Sequence, residues 1–288
     1  IPAMVTPLTK DGKVNGKALR KFADYLIAGG SHGLFVAGTT GEFYGLSPEE
    51  KRELFEITVD QARGRVPVYA GTGAITTREV VQLTRYAEEA KVDAVSVLTP
   101  MFISPSQKEL IDHYTAVAAA TRLPVLLYNN PPKTGVNLAA ATVARLADVP
   151  NIVGIKDSSG DFTLTGEYIR LTRGKDFHVL LGRDTLIHAG LCYGGKGSIA
   201  ACANVAPRLV ADIYDKYVAG DIKGSLEAQF KLAPLRIAFN LGTFPAVIKE
   251  SLELLGIDAG ACMAPVGPMS TDEKQQLKKI LTEMGLLK

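Results

Sequence analysis

One pattern repeats along the chain: a short run of apolar, β-branched residues, then a turn, then a segment with the periodicity of an amphipathic helix. Most of these runs are continuously apolar, which is typical of parallel strands that are buried on both faces. The pattern predicts eight strands, at residues 2–5, 34–36, 66–71, 94–98, 125–128, 152–156, 178–181 and 197–200.

The segments between these runs begin with sequences that start helices. Ser47 precedes a proline and two acidic residues, Thr76 stands three residues before a glutamate, and Ser106 opens a third helix in a similar way. Alternating strands and helices indicate βα units in an α/β fold. Eight units within about 200 residues favour a closed (β/α)8 TIM barrel over a doubly wound sheet.

The chain after the last predicted strand carries no further strand pattern. We therefore expect the barrel to span residues 1–220 and a C-terminal helical region to span residues 221–288, with helices at 244–255 and 271–284. No linker rich in proline, glycine or serine separates the two parts. This predicts that the helical extension packs on the barrel.

Charge and cysteine content exclude several classes of protein. The net charge is +2 with both signs interspersed, so we expect no nucleic acid and no membrane as a partner. Cys192, Cys202 and Cys262 are widely spaced and predict buried thiols in a reducing compartment. No apolar run is long enough to span a bilayer. These features predict a cytoplasmic protein that acts on a small molecule.

A lysine at the end of a predicted strand is the main candidate for catalysis. Active sites of such barrels lie at the C-terminal ends of the strands, and Lys156 ends the apolar run 152–155. Burial disfavours the charged form of an amine, and a neutral amine can attack a carbonyl to form an imine. Position alone supports equally an imine-forming lysine and an ordinary one, which is either solvated or paired with Asp157.

Two further strand ends carry polar residues suited to a carbonyl substrate. The turn 38–42, Gly-Thr-Thr-Gly-Glu, can present N–H groups and hydroxyls to a carboxylate, although an ordinary βα turn is the alternative. Tyr128 ends the run 125–127 and can relay protons, although a tyrosine that only packs in the core is the more common case.

These motifs resemble those of the pyruvate-dependent class I aldolase superfamily, the dihydrodipicolinate synthase and N-acetylneuraminate lyase family. The matching segments are 38–42, Tyr128-Asn129-x-Pro131 with Thr134-Gly135, and 153–158, in an order that holds along nearly the whole chain. The resemblance implies a lysine Schiff base at Lys156, with Tyr128 and Thr39 as catalytic partners. It also implies substrate-binding roles for Thr40, Gly41, Ile199, Lys133 and Asp184.

The chain departs from the family pattern at positions that bear on the second substrate. Phe102 stands where the synthase places a tyrosine that reaches into a neighbouring subunit, and Lys133 stands where it places an arginine. In the neuraminate lyases an Asp-Glu pair occupies the place of Asp184-Thr185. The segment 155–161 is similar to members that cleave 4-hydroxy-2-oxo acids or 2-oxo-3-deoxy sugar acids.

We therefore place reversible cleavage of such acids into pyruvate and an aldehyde first. The alternatives are condensation of pyruvate with aspartate semialdehyde, dehydration of a 2-oxo-3-deoxy sugar acid, and a non-catalytic 2-oxo acid binder. The resemblance implies a homotetramer built as a dimer of dimers. It also implies no cofactor and no metal, because the imine itself serves as the electron sink.

Overall fold

Strands and helices alternate along the chain in the computed structural model, which describes residues 1–287. The chain divides into two units: residues 1–68 together with the chain from residue 200 onward, and residues 69–199. Seven strands lie in the described part, β1 Leu34–Val36, β2 Val68–Gly71, β3 Ala94–Leu98, β4 Val125–Asn129, β5 Ile152–Asp157, β6 His178–Leu181 and β7 Gly197–Ser198.

The second unit is built on a parallel sheet. Its strands pair in chain order from β2 to β7, and every pair is parallel. All residues of β3 and β4 are buried. This burial explains why their sequences, apart from Ser96 and Asn129, are apolar instead of alternating.

Twelve α-helices lie within residues 1–287, one before β1 and the others between and after the strands. Ser47, Thr76 and Ser106 each cap a helix by the reciprocal hydrogen bonds of a capping box, as the sequence predicts for Thr76. The helices are α1 Gly16–Ala28, α2 Pro48–Ala62, α3 Thr77–Glu89, α4 Gln107–Ala119, α5 Pro131–Thr134, α6 Ala140–Leu146, α7 Phe162–Thr172, α8 Ile187–Tyr193, α9 Pro207–Val218, α10 Ile222–Ala238, α11 Ala246–Leu254 and α12 Thr271–Glu283. None of the helices within residues 1–287 is long and apolar enough to cross a membrane.

In the first unit, the strand predicted at residues 2–5 does not form. Only Pro2 and Ala3 form bridges, a parallel bridge each to Ala200 and Phe35. The run ends early because the N–H of Val5 donates instead to the side chain of Asn204, at 2.9 Å. A buried side chain distant in sequence therefore takes the hydrogen bond that would have extended the strand.

Four other strand boundaries differ by one or two residues, including that of β4, which continues through Asn129. Strand β2 begins at Val68 because Pro67 has no N–H to donate to a ladder. Strand β5 continues through Asp157, and β7 ends at Ser198 although the N–H of Ile199 still donates to Leu181 O at 3.0 Å.

The predicted C-terminal region contains the three helices α10, α11 and α12. Helix α10 packs against α9, and α12 contacts both α10 and α11, all within the first unit. Helix α11 begins at Ala246, two residues later than predicted, directly after Pro245. The boundary between residues 220 and 221 stays a prediction.

Candidate active site

Tyr128 and Lys156 lie side by side on neighbouring strands. They form one rung of the β4–β5 pairing, so both side chains project from the same face near the carboxyl ends of the strands. The side chains are 4% and 3% exposed, and Lys156 Nζ lies 4.1 Å from the centre of the Tyr128 ring. The structure thus brings together the two residues that the sequence singled out as nucleophile and proton relay.

The segment after β4 fixes the tyrosine. Asn130 Nδ2 donates to the Tyr128 hydroxyl at 3.1 Å, and the N–H of Thr99, which follows β3, donates to Tyr128 O at 3.1 Å. Thr99 Oγ1 also donates to Thr134 Oγ1 in α5, at 3.0 Å. Asn130 therefore holds the phenol oxygen, and the segment after β3 holds the backbone of Tyr128, which together define the position of the tyrosine.

The next rung carries a buried polar pair on the opposite face of the sheet. Asn129 and Asp157 are paired across β4 and β5, and Asn129 Nδ2 donates to Asp157 Oδ1 at 3.1 Å. Asp157 is 2% exposed and also accepts from Ser159 N at 3.0 Å, from Ser159 Oγ at 2.9 Å and from Thr165 Oγ1 at 2.5 Å. These bonds satisfy a buried carboxylate directly after the candidate nucleophile.

Asn129 extends this network towards α7. Its amide nitrogen lies 3.1 Å from Tyr168 Oη and 3.0 Å from Asn137 Oδ1, and its oxygen accepts from Leu138 N at 3.0 Å. Burial, reinforced by the nearby charge of Asp157, raises the pKa of Tyr168, so its hydroxyl remains a donor. The sequence analysis gave this network no role in the site, because only the pairing of β4 with β5 brings Asn129 and Asp157 together.

A glycine allows β5 and β6 to approach closely just before Lys156. A Cβ on Gly154 would lie 2.4 Å from the backbone oxygen of His178 and 2.9 Å from Leu126 Cδ2. Any side chain there would push the strands apart. The spacing of the sheet next to Lys156 therefore depends on this residue.

The other predicted site residues of the second unit are placed differently from one another. Ile199 is buried after β7, and Asp184 is buried at the start of a 3-10 turn, Asp184–Leu186, that follows β6. Lys133 lies in α5 with an exposed side chain. Phe102 is 94% exposed and has a left-handed backbone, with φ of 71°. Phe102 and Lys133, the two positions at which the chain departs from the synthase pattern, are thus on the surface of this chain.

Thr39, Thr40 and Gly41 belong to the first unit, where they form a 3-10 turn after β1. Thr40 and Gly41 are buried and Thr39 is half-buried. Gly41 O accepts from Thr6 Oγ1 at 2.7 Å, and a Cβ on Gly41 would lie 2.9 Å from Met4 O. The turn is therefore packed directly against the segment before α1, and a larger residue would not fit at its end.

A surface cleft of about 740 Å³ lies elsewhere in the second unit. His178 at the start of β6, Lys196 just before β7, and Arg173 are among its lining residues. These are the amino ends of strands, opposite to the ends that carry Lys156 and Tyr128. The cleft contains none of the predicted site residues. Within residues 1–287 no group of three or more histidine, cysteine, aspartate or glutamate side chains is arranged to hold a metal ion.

Residues 1–284 match the model of the dihydrodipicolinate synthetase family. A protein named 4-hydroxy-tetrahydrodipicolinate synthase from Acidiphilium cryptum is 41% identical over 285 residues, 99% of this chain and 97% of its own length. One of the same name from Bacillus subtilis is 40% identical over 283 residues, 98% of this chain and 97% of its own.

Solved structures agree along the whole chain. Dihydrodipicolinate synthase DapA-2 from Bacillus anthracis is 34% identical with a TM-score of 0.94, covering 98% of this chain and 96% of its own. YagE from Escherichia coli K12, a prophage protein of the dihydrodipicolinic acid synthase family in complex with pyruvate, is 33% identical with a TM-score of 0.96, covering 99% and 97%. The predicted fold class, a (β/α)8 barrel with a C-terminal helical extension, is confirmed by this likeness.

Proposed function

Because the chain belongs to the dihydrodipicolinate synthetase family, we propose that it is a 4-hydroxy-tetrahydrodipicolinate synthase that condenses pyruvate with aspartate semialdehyde. The family confirms the predicted enzyme class, a pyruvate-dependent class I lyase that forms a lysine Schiff base. The name shared by the relatives, at about two-fifths identity over almost the full chain, carries the proposal. It favours this condensation over the cleavage that the motif analysis placed first.

Lys156 supplies the nucleophile in this proposal. Its amine attacks the keto carbon of pyruvate, and loss of water leaves a protonated imine. The imine accepts the electron pair that is released when the methyl carbon loses a proton, which gives an enamine. The enamine carbon then attacks the aldehyde, and hydrolysis or ring closure frees the lysine. The contact between Lys156 and the Tyr128 ring, both nearly fully buried, supports this role.

Tyr128 moves protons during these steps. Its hydroxyl donates to the leaving water of imine formation and takes a proton back as the imine becomes an enamine. The hydrogen bond from Asn130 supports this role because it holds the phenol oxygen in one place.

The remaining predicted residues have binding roles in the proposal. Thr39 and Thr40 hold the carboxylate of pyruvate, and Gly41 lets the turn close tightly. Ile199 and Asp184 shape the substrate-binding region, and Lys133 attracts the carboxylate of the second substrate. The family resemblance also supports a cytoplasmic location and a homotetramer. Light scattering would test the homotetramer, for which the expected mass is that of four chains.

Borohydride trapping tests the core of the proposal. Pyruvate with borohydride should add the mass of one reduced pyruvate to the peptide that contains Lys156. Lys156→Ala should lose the adduct, and Lys196→Ala, which removes an exposed lysine of the same unit, should keep it. Tyr128→Phe should keep the ring beside the lysine and slow adduct formation by on the order of 10²-fold. An adduct on another lysine, or none, would refute the assignment.

A second candidate is cleavage of a 4-hydroxy-2-oxo acid or a 2-oxo-3-deoxy sugar acid. Phe102 has no hydroxyl to relay protons, and Lys133 has no bidentate fork for a carboxylate, which favours a different second substrate. The two candidates separate in paired assays. The proposal expects product from pyruvate with aspartate semialdehyde, whereas release of pyruvate from the longer acids alone would establish the second candidate.

A further inference from the structure

A buried ion pair joins the Thr39–Gly41 turn to the C-terminal helices within the first unit. Lys249 Nζ of α11 lies 2.7 Å from Glu42 Oε1, and their side chains are 3% and 0% exposed. At this separation the ammonium and the carboxylate are in direct contact. Glu42 Oε2 accepts from the N–H of Met263 at 2.7 Å, and Lys249 Nζ donates to Ala261 O at 2.8 Å.

A buried ion pair is a less favourable way to fill a protein interior than two apolar side chains. Removing two charges from water costs more than burying two apolar side chains of the same size, and apolar replacements often equal or exceed the stability of a buried pair. Folding alone therefore gives no reason for charges at Glu42 and Lys249. The two charges therefore have another role, either to position a neighbouring segment or to set the local electrostatic potential.

Glu42 ends the turn in a demanding backbone conformation. Its φ of 55° and ψ of 36° are left-handed, a region that a residue with a side chain adopts only when its surroundings hold it there. Its N–H donates to Thr39 O at 3.3 Å, and the preceding Gly41 O accepts from Thr6 Oγ1. The carboxylate of Glu42 is thus the anchor of the turn on the side of α11.

The charge of Lys249 also matters for a negatively charged substrate. An unpaired carboxylate at Glu42 would lie within three residues of Thr39 and Thr40 and would repel an anion. A buried ammonium 2.7 Å away cancels that repulsion while it holds the carboxylate in place.

We propose that Glu42 and Lys249 are positioning residues for pyruvate: they hold the Thr39–Thr40 turn in the shape that takes the substrate carboxylate. The C-terminal helical region thereby takes part in substrate binding. This inference rests on the proposed function, because it assumes that the turn binds pyruvate.

The test measures the borohydride trapping rate as a function of pyruvate concentration, which needs no second substrate. Glu42→Gln and Lys249→Met should each weaken the apparent affinity for pyruvate by about tenfold or more, with a smaller change in the limiting rate. Lys249→Arg should restore most of the affinity because it retains the charge. Leu252→Ala, a buried truncation on the same helix, should lower the melting temperature and leave pyruvate affinity unchanged.

Unchanged pyruvate affinity in both Glu42→Gln and Lys249→Met, with the wild type forming its adduct, would overturn the inference alone. A wild type that forms no adduct would instead refute the proposed function. If these variants do not fold, amide exchange of the wild type decides. Pyruvate should slow exchange at Met263, whose N–H donates to Glu42, and an unchanged rate there would overturn the inference.

Discussion

The Asn129–Asp157 hydrogen bond leads to a quantitative prediction about stability. We expect Asp157→Ala to lower the free energy of unfolding by about 3–6 kcal/mol, since two neighbours, Asn129 and Ser159, each lose a charged acceptor at about 1.5–3 kcal/mol. The donors are Asn129 Nδ2 and, from Ser159, both the N–H and Oγ. Thr165 Oγ1 adds little to the loss because Asp161 O, at 3.1 Å, is a second acceptor for it. Asn129 Nδ2 also has other acceptors, Asn137 Oδ1 at 3.0 Å and Tyr168 Oη at 3.1 Å, which places the expected loss towards the lower end of the range.

A double-mutant cycle isolates the bond between the two strands. Asn129→Ala and Asp157→Ala should show a coupling free energy of about 1.5–3 kcal/mol in urea unfolding, because each removes the other's partner. Pairing Asp157→Ala with Thr58→Ala, a buried threonine of the first unit that bonds to Leu54 O, should give additive losses. Both strand variants should also slow pyruvate trapping, since the rung beside theirs carries Tyr128 and Lys156.

Additive losses for the two strand variants, within about 0.5 kcal/mol, would refute the predicted coupling between Asn129 and Asp157. Full trapping rates in folded Asn129→Ala protein would show that the position of Tyr128 relative to Lys156 does not depend on the network.

Three other predictions concern stability and thiol chemistry. Burial lowers the pKa of His113 to about 4, so between pH 6.5 and pH 4 the unfolded chain binds this proton first; the protein should lose about 3 kcal/mol over that range, and His113→Gln should flatten the loss in urea titrations. Burial, with the charge of Glu42, raises the pKa of Cys262 to about 11, so peptide-resolved alkylation at pH 8 should be slower there by on the order of 10²-fold than at a free cysteine, and faster in Glu42→Gln; equal rates would contradict this. Gly154→Ala should cost about 1–3 kcal/mol and reduce trapping, whereas Gly267→Ala, where a Cβ meets nothing within 4 Å, should change neither.

The sequence predicts the pair Tyr128 and Lys156 because both end apolar runs that are consecutive strands. Parallel strands in chain order place such ends next to each other, so a rule about strand ends suffices. It does not predict Asn129 and Asp157 as a pair. That assignment needs the register of β4 against β5. The register includes an irregularity between Val125 and Leu126 that the sequence does not predict.

Contacts between residues far apart in the chain account for the other differences. The strand predicted at residues 2–5 is cut short by the side chain of Asn204, and Lys249 finds its partner in a turn near the other end of the chain. Lys249 lies in a helix whose local sequence gives no sign of a buried charge. Only the tertiary structure shows that the ammonium is enclosed.

The exposure of Phe102 and Lys133 has an evolutionary consequence. Neither side chain is buried in this chain, and neither takes part in the hydrogen bonds that hold Tyr128, Lys156, Asn129 and Asp157. Substitutions at such positions usually change stability by less than about 0.5 kcal/mol. If the proposed function holds, mutation at these two positions can change the aldehyde partner with little risk to folding, while the residues proposed to activate pyruvate are inherited unchanged.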